Sequence, residues 1–160
     1  MCLPETTSWR SRESDSSGDW FLRTIAAGGR DLRDTGITVN GGTVMLDLVA
    51  SNSGGIVSGV ISDSKGEPVA NAVVVAVPDT RTRGGASRYR KTIADQSGRF
   101  ALRGVSPGGY TLFAWESVDG DAYYNPEFLK NYEGQGVAIR VGDGERKTLQ
   151  LSVIPAPEEP

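Results

Sequence analysis

Between residues 55 and 116 the chain alternates short β-branched runs with turn chemistry at close intervals, and this pattern admits few folds. Ile56-Val57, Val60-Ile61, Val73-Val74-Val75 and Thr111-Leu112-Phe113 are separated by Asp63-Ser64-Lys65-Gly66, Asp95-Gln96-Ser97-Gly98 and Ser106-Pro107-Gly108-Gly109. Runs this short are strands rather than helices. Pro presets φ, Gly permits positive φ, and Asp bonds forward backbone amides, so the punctuation reads as tight turns between antiparallel strands. The 21 glycines in 160 residues suit a chain rich in such turns.

Taken in order, this pattern predicts strands over 56–62, 72–77, 89–94, 100–102 and 110–116. The second is almost continuously β-branched until Pro78, as a central strand buried on both faces would be. In the fifth, Tyr110, Leu112, Ala114 and Glu116 share one face, with Thr111, Phe113 and Trp115 on the other. One helix is expected over 125–134, with Asn125 as N-cap, Pro126 in the first turn and Gly134 beyond the last. Strands at 137–141 and 147–154 would close the sheet, and 79–87 would be an exposed loop. The fold class is thus all-β: an antiparallel Greek-key-type β-sandwich over 55–154, of about seven strands with one short helix.

Two or three extra strands precede it in 20–52. The run 20–26 is strand-like, and in 43–49 Val44, Leu46 and Leu48 fall on one face, as a strand with one buried side would have. Two or three strands do not make a stable domain, so this segment either pairs with the sandwich or ends a preceding β module. Residues 51–55 read as a short linker. Residues 1–19 carry too little apolar surface to offset the entropy of ordering and are expected to be a disordered lead; 155–160 is expected to be a flexible tail.

Composition removes several functions. A formal net charge of -3 lacks the basic field that draws phosphate backbones, so no nucleic-acid partner is expected. No stretch is long and apolar enough for a membrane span, and the first 18 residues hold no apolar core of a signal peptide. Without such a core before it, Cys2 is an incidental thiol rather than a lipidation site, and one cysteine makes no internal disulfide.

The chain has no histidine, which denies it a histidine-ligated zinc site and a serine or cysteine triad with histidine as base. Paired carboxylates at Asp119 and Asp121, or Glu127 and Glu133, could be drawn as acid and base. They lie in turn and helix sequence with nothing to perturb them, so no catalytic residue is assigned. Asp63, Asp95, Asp119, Asp121 and Asp143 could supply calcium oxygens, but none begins the alternating ligand pattern of a calcium loop. Asp-x-x-Gly at Asp63 and Asp95 is a turn signal, and no metal or cofactor is expected.

One candidate ligand site remains, for sugar. Trp115, Tyr123, Tyr124 and Tyr132, with Phe128, gather in sequence around the last strand-to-helix junction. Flat aromatic faces beside amides such as Asn125 and Asn131 suit pyranose stacking and hydroxyl bonding. The competing reading makes Trp115 and Phe128 core and uses the tyrosines to pin the helix to the sheet.

The segments Gly59-Val60-Ile61-Ser62-Asp63, Gly66-Glu67-Pro68-Val69-Ala70-Asn71-Ala72-Val73-Val74, Thr92-Ile93-Ala94-Asp95-Gln96-Ser97-Gly98-Arg99-Phe100 and Gly104-Val105-Ser106-Pro107-Gly108-Gly109-Tyr110-Thr111-Leu112 resemble, in this order, the carboxypeptidase regulatory-like domain. The resemblance implies a prealbumin-like, non-catalytic β-sandwich found as an accessory module in bacterial secreted and surface proteins. It therefore implies an extracytoplasmic location and other modules as partners. Leu22-Arg23-Thr24-Ile25-Ala26-Ala27-Gly28-Gly29-Arg30-Asp31 and the stretches 113–116 and 123–129 are similar to multi-module proteins of soil bacteria, in which 20–50 would end a preceding module. An internal isopeptide bond of the kind seen in related surface modules is not expected, because the first long strand has no lysine. The function expected is a structural, accessory or protein-interaction module. Carbohydrate binding through 115–132 is the alternative, and a domain that positions a separate hydrolase the third reading.

Overall fold

A computed structural model describes residues 5–7, 19–33, 35–79 and 88–156. The strands are β1 (Glu5–Thr7), β2 (Phe21–Ala27), β3 (Arg30–Asp31), β4 (Ile37–Val39), β5 (Asp47–Ser51), β6 (Gly55–Ser62), β7 (Val73–Pro78), β8 (Arg90–Ile93), β9 (Arg99–Val105), β10 (Gly108–Trp115), β11 (Val137–Val141) and β12 (Arg146–Ser152). A 3₁₀ turn at Ala122–Tyr124 leads into α1 (Pro126–Lys130), the single α-helix among the described residues.

Seven strands form the sandwich: one sheet in the order β11-β10-β7-β8 and a facing sheet in the order β12-β6-β9. Six of the expected element positions lie within a residue or two of the observed ones. Two elements differ: β9 runs on to Val105 instead of stopping at 102, continuing past a bulge where Gly104 takes positive φ and β6 still pairs with Val105, and the helix expected over 125–134 ends at Lys130, its remaining residues forming turns. The pairing is antiparallel except between β6 and β12, which run parallel from Arg146↔Ile56 to Ser152↔Ser62. That pair departs from the all-antiparallel expectation. The chain leaves β11 in one sheet and crosses to the other through 142–145, so β12 arrives beside β6 already pointing the same way.

The β7 strand explains its own composition. Val74 and Ala76 face the second sheet and pack with Val57, Ile61, Leu102, Leu112 and Leu151. Val75 and Val77 point to the outer face, which Trp115, Tyr123 and Leu129 cover. A strand buried on both faces has no place for an alternating polar set. The Asp63 and Asp95 turns are built alike. Asp63 Oδ1 accepts the amides of Lys65 and Glu67 at 2.8 and 3.0 Å, and Asp95 Oδ1 those of Ser97 and Arg99 at 2.8 and 2.9 Å. Each turn closes on a glycine at positive φ, +83° at Gly66 and +71° at Gly98.

Ahead of the sandwich, β2 pairs with β3 on one side and β5 on the other, while β1 pairs with β4. The β1 strand falls inside the expected disordered lead; the rest of 1–18 lies outside the described residues, as do 80–87 of the expected loop and 157–160 of the expected tail. Phe21, Ile25 and Leu32 are buried. The alternation in 43–49 does not mark a buried face, however. The strand begins only at Asp47, and on the expected face Val44 is 41% and Leu48 57% exposed, because nothing among the described residues lies over it. The expected linker at 51–55 is pinned. Gly54 N donates to Asp19 O at 2.8 Å, Gly144 N to Ser53 O at 2.7 Å, and Ser53 Oγ to Asp143 at 2.7 Å. Arg23 Nη2 bridges to Asp143 at 3.3 Å across this junction.

Candidate functional site

Of the residues singled out for sugar binding, Trp115, Tyr123, Tyr124, Asn125 and Tyr132 lie together on the outer face of the β11-β10-β7-β8 sheet. Trp115 ends β10, Tyr123 and Tyr124 sit in the 3₁₀ turn, Asn125 caps α1, and Tyr132 follows the helix. Trp115 is 1% exposed: it stacks on Phe113 at 5.1 Å, with Phe128 tilted against it at 5.9 Å and Tyr132 edge-on at 5.6 Å. Tyr123 is 5% exposed and meets Tyr124 at 4.6 Å. Tyr124, Phe128 and Tyr132 are half-buried, and only the amides Asn125 and Asn131 are exposed.

Asn125 is occupied locally. Its Oδ1 accepts the amide of Glu127 at 2.9 Å, which fixes the first turn of α1, and Glu127 in turn pairs with Lys130 at 2.8 Å. The rings use their faces on one another and on β7, covering apolar sheet. Pairs of this kind contribute about 0.5–1.5 kcal/mol each beyond their burial.

Two members of the group were not singled out from sequence. Tyr89, just before β8, is buried and packs on Tyr124 at 4.6 Å, and Lys91 Nζ lies 5.6 Å from the Tyr123 ring centroid. The sheet brings them from a distant segment, so no sequence spacing announces them. Phe113 was legible from its shared face with Trp115.

The carboxylates considered for chemistry are dispersed. Asp119 and Asp121 are exposed, and their carbonyls accept the amides of Ala122 and Tyr124, at 2.9 and 3.0 Å, to shape the 3₁₀ turn. Amides of Glu67 and Lys65 hold the Asp63 carboxyl below the usual carboxylate range, and the amide of Gly142 does the same for Glu145. Among the described residues no three His, Cys, Asp or Glu side chains converge to hold a metal ion, and no helix is long and apolar enough to cross a membrane.

A different surface stands out. β5 is the outer strand of its sheet, with Leu48 57% and Val49 49% exposed, and Trp20, Val44 and Met45 are exposed in the flanking segments. The other outer strands of the three- and four-stranded sheets all carry a cation: Arg30 in β3, Arg90 and Lys91 in β8, Arg99 and Arg103 in β9, Arg140 in β11, Arg146 and Lys147 in β12. Such charges keep a strand edge from pairing with another chain; β5 has none.

Two facing sheets with an apolar core between them, cations on their outer strands and an aromatic cap on one outer face define a β-sandwich module. The family model of the carboxypeptidase regulatory-like domain matches residues 56–152, and the chain belongs to that family. No curated protein matches it. Among solved structures, BcpA, the major pilin subunit of Bacillus cereus, is similar at 14% identity and a TM-score of 0.39, over 69% of this chain and 33% of its own. The chain thus spans about a third of that pilin. A candidate carbohydrate-binding protein of Pseudomonas aeruginosa, PA1324, is similar at 16% identity and a TM-score of 0.37, over 61% of this chain and 87% of its own. The 5-hydroxyisourate hydrolase of Klebsiella pneumoniae is similar at 16% identity and a TM-score of 0.35, over 65% of this chain and 92% of its own. At these identities and scores the likeness says nothing of this chain's chemistry.

Proposed function

We infer that the chain is a non-catalytic accessory module of a larger extracytoplasmic protein, joined to a neighbouring module through its N-terminal sheet. The observation that carries this reading is the cation-free, apolar outer edge of β5, beside the exposed Trp20, Val44 and Met45. A three-stranded sheet with one edge open is too small to be a domain in its own right, and a strand from a neighbour would complete it. Residues 20–52 then belong to the junction with a preceding β module, and 55–154 form the module proper. Membership of a regulatory-like family and the absence of histidine from the sequence support the non-catalytic part.

An open edge pairs with any strand it meets, so the isolated chain should pair with itself. Its mass in sedimentation velocity is expected to rise with concentration, and Val49→Lys is expected to hold it at one chain without changing the thermal midpoint. A wild-type mass that stays at one chain, with the β5 amides protected from hydrogen exchange, removes the docking edge and this reading with it. Carbohydrate binding is tested separately by following amide shifts on titration with a panel of oligosaccharides. No saturable shifts are expected; a saturable set confined to 115–132 would assign a sugar site there and replace the scaffold reading.

A further inference from the structure

The loop that follows β4 combines an asparagine with the neighbour that makes its side chain chemically labile. Asn40 is followed by Gly41 and Gly42, and all three are exposed within a continuously exposed stretch from 38 to 45. The reaction available to such a pair is intramolecular. The backbone nitrogen of residue 41, after loss of its proton, attacks Cγ of Asn40; the Cγ–Nδ2 bond breaks and ammonia leaves with a proton. The five-membered succinimide is then opened by water at either carbonyl, giving aspartate or, with an extra backbone methylene, isoaspartate. Nothing is oxidised or reduced, and solvent is the sole co-reactant.

Three conditions control its rate: freedom of the attacking nitrogen, lack of a side chain on that residue, and room for the ring. All three hold at residue 40. Among the described residues Gly41 N–H makes no hydrogen bond, and no heavy atom beyond the adjoining residues lies within 4 Å of the place a Cβ would occupy on Gly41 or Gly42.

The same chain holds its own controls. Asp119-Gly120 and Asp143-Gly144 are the carboxylate analogues of the pair: Gly144 N is committed to Ser53 O at 2.7 Å, and at Asp119 an ionised carboxylate, a far poorer electrophile than an amide, replaces the group that leaves as ammonia. Asn131 is followed by Tyr132, whose amide is bonded to Leu129 O at 3.0 Å, and Asn52 by Ser53, whose amide is bonded to Ser51 Oγ at 3.3 Å. Asn125 precedes Pro126, which has no N–H to give up. Asn71 precedes Ala72, which is fully buried.

We propose that Asn40 is a site of spontaneous deamidation, and that it outpaces every other asparagine of the chain. The product adds one negative charge to the formal net charge of -3. It places that charge one residue beyond Val39, which pairs with Glu5 in the β1–β4 ladder. A chain held outside the cell without turnover would therefore carry a chemical record of its age at this loop.

The folded protein, incubated in mildly alkaline buffer at physiological temperature, is sampled over days by peptide mapping with tandem mass spectrometry. The mass gain of replacing NH₂ by OH is expected first at residue 40, accompanied by an isoaspartate isomer that separates chromatographically. It should proceed within an order of magnitude of the rate in a synthetic peptide spanning 36–44 and be absent from Asn40→Gln. Conversion of the peptide with none in the folded protein overturns the proposal, because the fold would then protect the site. Faster conversion at Asn52, or isomerisation of Asp143 at a matching rate, overturns it as well. Gly41→Ala, which restores a side chain to the attacking residue, is expected to slow the reaction at least tenfold, a drop that a general loosening of the loop would not give.

Discussion

The Tyr110 hydroxyl donates to the carbonyl oxygen of Ser106 at 2.7 Å and lies 2.7 Å from the Ser106 hydroxyl, in one of the few buried polar arrangements of the sandwich. Burial raises the phenol above its ordinary range, opposed in part by the hydrogen bond to Ser106. A raised value in the fold means that the contribution is intact below the unfolded value of about 10 and is lost as pH climbs through the folded one. Tyr110→Phe is expected to cost about 1–2 kcal/mol at neutral pH, since Ser106 loses its partner, and to be less sensitive to alkali than wild type. Urea unfolding at a series of pH values reads both. Asp63 has the opposite sign. The amides of Glu67 and Lys65 lower its value, so its contribution is present above the unfolded carboxylate range and fades as pH falls through the folded value. Asp63→Asn should flatten the acid limb of the same stability profile; an unchanged acid limb would show that the turn does not depend on the charge.

The elements readable in the sequence are those set by local chemistry. The Asp63 and Asp95 turns, the Asn125 cap and the face shared by Phe113 and Trp115 each depend on residues within a few positions, and each is present. What depended on distant partners was not readable. The parallel pairing of β12 follows from where a crossover leaves the chain, and the exposure of Leu48 follows from the absence of a covering element among the described residues. The alternation around Leu48 looks the same whether or not a neighbour covers it. The candidate sugar residues, neighbours in sequence, lie against one another in the fold. Their burial could not be read, since aromatic clusters that fill a core and those that form a platform share one composition. Gly59 leaves the parallel pair no room for a side chain: a Cβ there would overlap the Leu149 carbonyl oxygen and meet Phe100 at 3.0 Å. Gly59→Ala is expected to destabilise the sandwich by about 1–3 kcal/mol by pushing β12 away, measured by denaturant unfolding. A loss near zero would mean the strand moves freely.

At the scale of the molecule, the chain divides by how much each part buries. In the sandwich, β7 and β10 lie between two covered faces, whereas β5 is open on one edge and exposed across its width. Opening free energy follows burial, so native-state hydrogen exchange at concentrations too low for self-pairing should find the slowest amides in β7 and β10 and the fastest among paired strands in β5. Exchange of β5 as slow as that of β7 would contradict the open edge. The pinned junction makes a further point: Arg23, Asp143, Ser53 and Gly54 tie the two parts by several bonds, so the N-terminal sheet reports its attachments to the sandwich through a fixed frame rather than a slack tether.

The parallel pair of β6 and β12 determines how the module would bear a load. Tension applied at Gly55 and Ser152 runs along two strands that point the same way, whose seven paired positions from Arg146↔Ile56 to Ser152↔Ser62 are strained together. Rungs loaded side by side must fail at once, whereas a hairpin pulled open from its end loses them singly. A tether built from such sandwiches would resist stretching stiffly and then give way abruptly. Single-molecule pulling from those two residues should show a higher rupture force than pulling that peels β11 from β10.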